Sequence, residues 1–201
     1  MIQSAIGPIA LRAPTEIEAI RFEDRHRASR RKAADGEVVE GALYDNGLEE
    51  VLACVTSHKA AELHPADDGL LSDSPGVYER LCDEFRRLGG GALALCDSAD
   101  AITEDIRLSY GRKALGFEYG GIKIVVRKLS WAEFQAVLVE REDGNTWATL
   151  AKFGKRCMLT PTEDLGALWD RFPYLAMTVG AKLYELAQGA VDTKLGKSAN
   201  G

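Results

Sequence analysis

The sequence predicts a mainly α protein, α+β with short strands, built as two related helical units in tandem. Three observations carry this prediction. A run near the start, IALRAPTEIEAIRF, returns in altered form past the middle as IVVRKLSWAEFQAV. Both runs contain a hydroxyl residue with a Glu three positions later, the signature of a helix start. Each half then closes with a proline-opened helix that ends in glycine.

In the two runs Arg12 and Arg127, Thr15 and Ser130, and Glu18 and Glu133 all share one offset of 115. Each run reads as a short aliphatic strand, then Arg, then a capping box. There the hydroxyl accepts from the third helical N–H and the carboxylate reaches back to the cap's own N–H. Phe134, Val137 and Leu138 form an apolar stripe after the second cap, with Ala19 and Phe22 at matching places after the first.

The next helices are LEEVLACVTS and TWATLAKFGKRCMLTP, each ending near a cysteine. Leu48, Val51, Leu52 and Val55 keep helical spacing in the first. Pro75 then opens GVYERLCDEFRRLGGG, and Pro173 opens YLAMTVGAKLYELAQG. Tyr78, Leu81, Cys82 and Phe85 make the inner face of one, and Ala176, Val179, Gly180 and Leu183 that of the other. The first half holds extra loop residues in ASRRKAADGEVVEGALYDNG and HPADDGLLSDS. Between the halves, Ile102, Ile106, Leu108 and Leu115 predict a connecting helix ended by Gly116, with a turn at Gly120 and Gly121. The expected organisation is residues 1–91 as the first unit, 92–121 as connecting helix and linker, 122–189 as the second unit and 190–201 as a flexible tail.

With 46% hydrophobic and 28% charged residues, the 201-residue chain has the composition of a folded protein. No run reaches the roughly 20 apolar residues that cross a bilayer, so no membrane partner is expected. The opening has no basic residue before its apolar ones, which argues against a secretory signal. A net charge of −6 gives no overall positive field for DNA or RNA, so a nucleic-acid partner is not expected. The one basic run, RHRASRRK at residues 25–32, reads first as a solvated helix end.

Chemistry is sparse. Cys54, Cys82, Cys96 and Cys157 are scattered and read as free thiols of a reducing compartment. Cys54, His58, His64 and Cys82 could form a metal site, but without a tight ligand pair. The three histidines lie in the first half only, and no nucleophile elbow accompanies them. LGGGAL at 88–93 lacks the Lys and hydroxyl of a phosphate loop, and Asp67 with Asp68 lacks the ligand count calcium needs. No catalytic residue, cofactor or metal is therefore assigned.

The order of strand, Arg, hydroxyl-x-x-acid cap, helix ending at CV or CML, polar Asp/Leu stretch and proline-initiated helix resembles the small helical tail assembly chaperones of tailed bacteriophages. The second half carries it best, in VVRKLSWAEFQAVL and KRCMLTPTEDLGALWDRFPYLAMTVGAKLYELAQG; ALRAPTEIEAIRF and LEEVLACVTSHKAAEL match more loosely. The resemblance implies a non-enzymatic role: binding the tape-measure protein and promoting tail-tube assembly in the host cytoplasm. A doubled unit departs from the usual family member, so a resident structural subunit of the tail, baseplate or neck is the alternative. A small hydrolase or metal-binding protein using the His and Cys residues of the first half is a third. The expected partner-binding surface is the set of apolar faces around Trp131, Phe134, Trp147, Trp169 and Tyr174, whose plain alternative is core. Partners would be tail proteins, and an oligomer is compatible with such a unit.

Overall fold

The computed structural model describes residues 1–4, 7–34, 47–59, 63, 75–142, 146–160 and 165–198; for residues 27–34, 75, 142 and 190–198 it describes the backbone alone. The protein is mainly helical with small antiparallel sheets. Its contacts divide it into two compact units, Met1–Ala92 with Asp170–Tyr174, and Leu93–Trp169 with Leu175–Gly201.

The first unit opens with a hairpin of β1 (Ile2–Ser4) and β2 (Gly7–Ile9). Helix α1 (Glu16–Ala34) follows the Thr15 cap, then come α2 (Leu48–Ala53) and α3 (Pro75–Leu88). Leu11 bridges antiparallel to Val55, with the Arg12 N–H donating to the Cys54 carbonyl at 2.9 Å. Ile9, Phe22, Val51, Leu63, Leu81 and Phe85 are fully buried, and the Phe22 and Phe85 rings lie 4.9 Å apart. Because α1 continues to Ala34, the first residues of the expected loop ASRRKAADG are helical, and the basic run 25–32 lies in its second half. Residues 35–46 and 64–74, with Asp67, Asp68 and His64, lie outside the described residues.

The second unit has a four-stranded antiparallel sheet of β3 (Cys96–Asp97), β4 (Ala114–Tyr119), β5 (Ile122–Arg127) and β6 (Met158–Thr160), in that order. Its helices are α4 (Glu104–Tyr110), α5 (Trp131–Glu142) and α6 (Thr146–Cys157). Helix α7 (Leu165–Arg171) runs across the division between the units, and α8 (Leu175–Ser198) returns to the second. Ile124, Val125, Val126, Val137, Ala176 and Val179 are fully buried.

Residues 92–121 do not form one connecting helix. Only Glu104–Tyr110 is α-helical there, and Leu115 and Gly116 belong to β4. Gly116 is required by space: a Cβ at this position would strike the Ser98 carbonyl oxygen, and the Ser98 N–H donates to the Gly116 carbonyl at 2.9 Å. The apolar spacing from Ile102 to Leu115 resembled a helix, but strand pairing across the hairpin outweighs that local pattern. The expected turn is present, with Gly120 and Gly121 both at positive φ (57° and 80°), as a two-residue hairpin of this twist demands.

The closing helix also differs at its ends. Pro173 and Tyr174 form a turn before α8, and the helix passes Gly189 to reach Ser198, so residues 190–198 of the expected tail are helical. Within this unit α6 and α8 meet at backbone distance. A Cβ on Gly154 would strike the Ala176 carbonyl oxygen, and one on Gly180 the Leu150 carbonyl oxygen. Two side-chain-free positions facing each other are what let the helices approach so closely.

Candidate functional site

The features shared by the two sequence runs form the same set of contacts in each unit. In the first, Arg12 makes a two-point contact with Glu18, at 2.9 Å and 2.6 Å. The Thr15 N–H donates to Glu18 Oε2 at 2.7 Å, and the Glu18 N–H returns to Thr15 Oγ1 at 3.3 Å. In the second, Arg127 meets Glu133 at 2.7 Å through both nitrogens. The Ser130 N–H donates to Glu133 Oε2 at 2.9 Å, and the Glu133 N–H to Ser130 Oγ at 3.3 Å. In each unit the residue before Arg pairs with the residue after the helix-ending cysteine: Leu11 with Val55, and Val126 with Met158.

The shared chemistry is electrostatic. The Arg12 guanidinium holds the Glu18 carboxyl down at about 2, and Arg127 does the same for Glu133, in both cases against a smaller opposing effect of burial. Cys54 Sγ donates to Glu18 Oε2 at 3.8 Å. Burial pushes the Cys54, Cys82 and Cys157 thiols up to about 11. Such thiols stay protonated at neutral pH and are weak nucleophiles. In both units the Arg–Glu pair ties the residue after a strand pairing or bridge to the start of the next helix, and in the first unit Glu18 also takes the Cys54 thiol. The sequence marked these residues as matched positions but gave no sign that Arg and Glu join, because their contact depends on the backbone turn between them.

Of the five aromatic residues expected to form a partner surface, four belong to the second unit and Tyr174 to the first. Trp131 stands 65% exposed at the start of α5, with its ring 5.8 Å from that of Phe134. Phe134 is buried and stacks on Tyr184 at 5.6 Å, and Arg141 lies 4.2 Å over the Tyr184 ring. Trp147 is half-buried against the cluster of Val137, Leu150 and Phe153. Trp169 is half-buried with Lys155 Nζ 5.2 Å above its ring.

Tyr174 belongs to the other unit and is buried there. Its hydroxyl donates to Glu23 Oε1 at 3.1 Å, and Glu23 also takes Arg86 Nε at 2.7 Å. Its ring sits in the LGGG segment: a Cβ on Gly89 would lie 2.7 Å from Cδ2, and one on Gly91 2.8 Å from Cδ1. Those glycines serve as an aromatic cradle after α3. The lack of a phosphate-loop signature is legible in the sequence, but the ring these glycines hold comes from far along the chain.

The histidine chemistry of the first unit is local. His58 Nδ1 lies 2.8 Å from Ser57 Oγ, and that oxygen accepts the Ala10 N–H at 2.9 Å. His26 stacks on Phe22 at 5.5 Å. Among the described residues, no three His, Cys, Asp or Glu side chains are grouped so as to hold a metal ion, and no helix is long and apolar enough to cross a membrane. Compared with known protein families, curated proteins and solved structures, the chain matches none.

Proposed function

We propose that the protein acts by protein–protein contact and catalyses no reaction, as a bacteriophage tail assembly protein resembling a tail assembly chaperone that binds the tape-measure protein. The observation that carries this reading is Trp131. A tryptophan is seldom left open to water, and this one is 65% exposed with its ring against Phe134, which in turn stacks on Tyr184. A large amphipathic ring buries much apolar area on docking, and such rings dominate binding energy at interfaces. An apolar stripe on a long amphipathic helix, the form a tape-measure protein would offer, suits that anchor.

The reading gains support from Cys54, Cys82 and Cys157, which burial makes poor nucleophiles, and from the repeated Arg–Glu tie, which uses its charged groups on one another. Co-expression with the tape-measure protein should raise that protein's soluble yield, and Trp131→Ala should remove most of the gain without unfolding the chain. An unchanged yield with the unaltered chain would refute the chaperone reading. Finding the chain by mass spectrometry in purified mature particles would instead assign it as a resident tail subunit.

A further inference from the structure

The excess acidic charge of the chain falls entirely on Met1–Ala92 with Asp170–Tyr174; the other unit carries balanced charge. Within that balanced unit, cations gather at one end of the β4–β5 hairpin. Ala114 pairs with Arg127, and the Lys128 N–H donates to the Lys113 carbonyl at 2.8 Å, so Arg112, Lys113, Arg127 and Lys128 share this end. Helix α4 leads into it, and the Gly111 N–H bonds back to the Arg107 carbonyl, which sets Arg107 one turn away. Arg127 is committed to Glu133. Arg107, Arg112, Lys113 and Lys128 are exposed, and none of them has an acidic partner among the described residues. Beside them Leu108 is 77% exposed and Tyr110 is 37% exposed.

These four cations make no ion pair among the described residues and outnumber the two carboxylates of helix α4, Glu104 and Asp105, so the patch keeps a local positive potential on a chain whose net charge is −6. An anionic occupant suits that potential. Leu108 narrows the choice: at 77% exposed it gains about 1 kcal/mol or more from an apolar side chain, whereas stacked bases would find only the less exposed Tyr110 ring. The overall negative charge also opposes long polyanions more than a short acidic peptide.

From this combination we infer that the surface formed by Arg107, Leu108, Arg112, Lys113 and Lys128 docks an acidic amphipathic segment of a partner polypeptide. Carboxylates of the segment meet the four cations, and its apolar face covers Leu108. This surface stands independently of the tape-measure reading, since its evidence is charge and exposure at the hairpin end and does not involve Trp131.

The test measures fluorescence anisotropy of three labelled probes against the full chain at low salt: an amphipathic peptide with Glu on one face and Leu on the other, a scramble of the same composition, and an oligothymidylate. The amphipathic peptide should bind best. Lys113→Glu with Lys128→Glu should weaken it about tenfold, and Arg107→Glu with Arg112→Glu should do the same from the other element. Leu108→Ala should weaken it about fivefold while leaving the salt dependence unchanged. Each variant is first checked for unaltered unfolding by circular dichroism. Tighter binding of the oligothymidylate, equal binding of the scramble, no binding of the peptide, or indifference to either charge-reversed pair would overturn the inference.

Discussion

Gly180→Ala adds one methyl group at the point where α8 touches α6, and its effect on stability follows from two opposed quantities. Replacing a helical glycine by alanine favours the helix by about 1 kcal/mol. Against this, the new Cβ points at the Leu150 carbonyl oxygen and lies close to the Leu150 Cα and carbonyl carbon. Backbone cannot rotate away as a side chain can, so the helices must separate and lose contacts along their length. Overpacking of this kind typically costs about 1–3 kcal/mol, and a clash with backbone belongs at the upper end. The net expectation is a loss of about 2 kcal/mol.

Gly189 supplies the control in the same helix, because a Cβ there meets nothing within 4 Å, and Gly189→Ala should stabilise by up to about 1 kcal/mol. Trp131, Trp147 and Trp169 all belong to the unit that contains this crossing, so tryptophan emission during urea unfolding reports on it. With a urea m-value of about 2 kcal/mol/M, Gly180→Ala should lower the midpoint by about 1 M while Gly189→Ala raises it slightly. A Gly180→Ala midpoint equal to or above that of Gly189→Ala would show that backbone contact does not set the crossing.

The ion pairs and the thiols give further outcomes. Glu133 titrates near 2 when folded and near 4.5 when unfolded, so its pairing with Arg127 and Ser130 stabilises the protein above pH 5, and that contribution disappears as pH falls from 5 toward 2. Glu133→Gln should therefore flatten the acid side of the stability profile by about 2–3 kcal/mol, and Glu18→Gln by less, since Arg12 is more exposed than Arg127. An unchanged slope in Glu133→Gln would remove the ion pair from the account. The exposed Cys96 should react with a disulfide reagent within seconds in the native protein, whereas Cys54, Cys82 and Cys157 should wait for unfolding. Fast native reaction of a second thiol would contradict the burial described for it.

Interactions confined to a few neighbouring residues were legible in the sequence. The boxes of Thr15 with Glu18 and of Ser130 with Glu133 close over one helical turn, and Gly120–Gly121 dictates its hairpin from within, so residue type and spacing suffice. The inner faces of α3 and α8 follow from helical period, and Leu81, Phe85, Ala176 and Leu183 are buried as that period predicts.

Contacts between distant segments were decided only by the tertiary structure. Apolar period marks a residue as suited to burial but not as buried: Phe134 and Trp131 share one helix start, yet one is core and the other faces water. Leu115 and Gly116 fit a helical pattern until β5 and Ser98 make β4 the better arrangement. The cradle around Tyr174, the meeting of Gly154 with α8, and the cation cluster that adds Lys128 to Arg107, Arg112 and Lys113 all join residues far apart in the chain. Spacing along a sequence carries local geometry, whereas close approach, exposure and electric field depend on which segments the fold brings together.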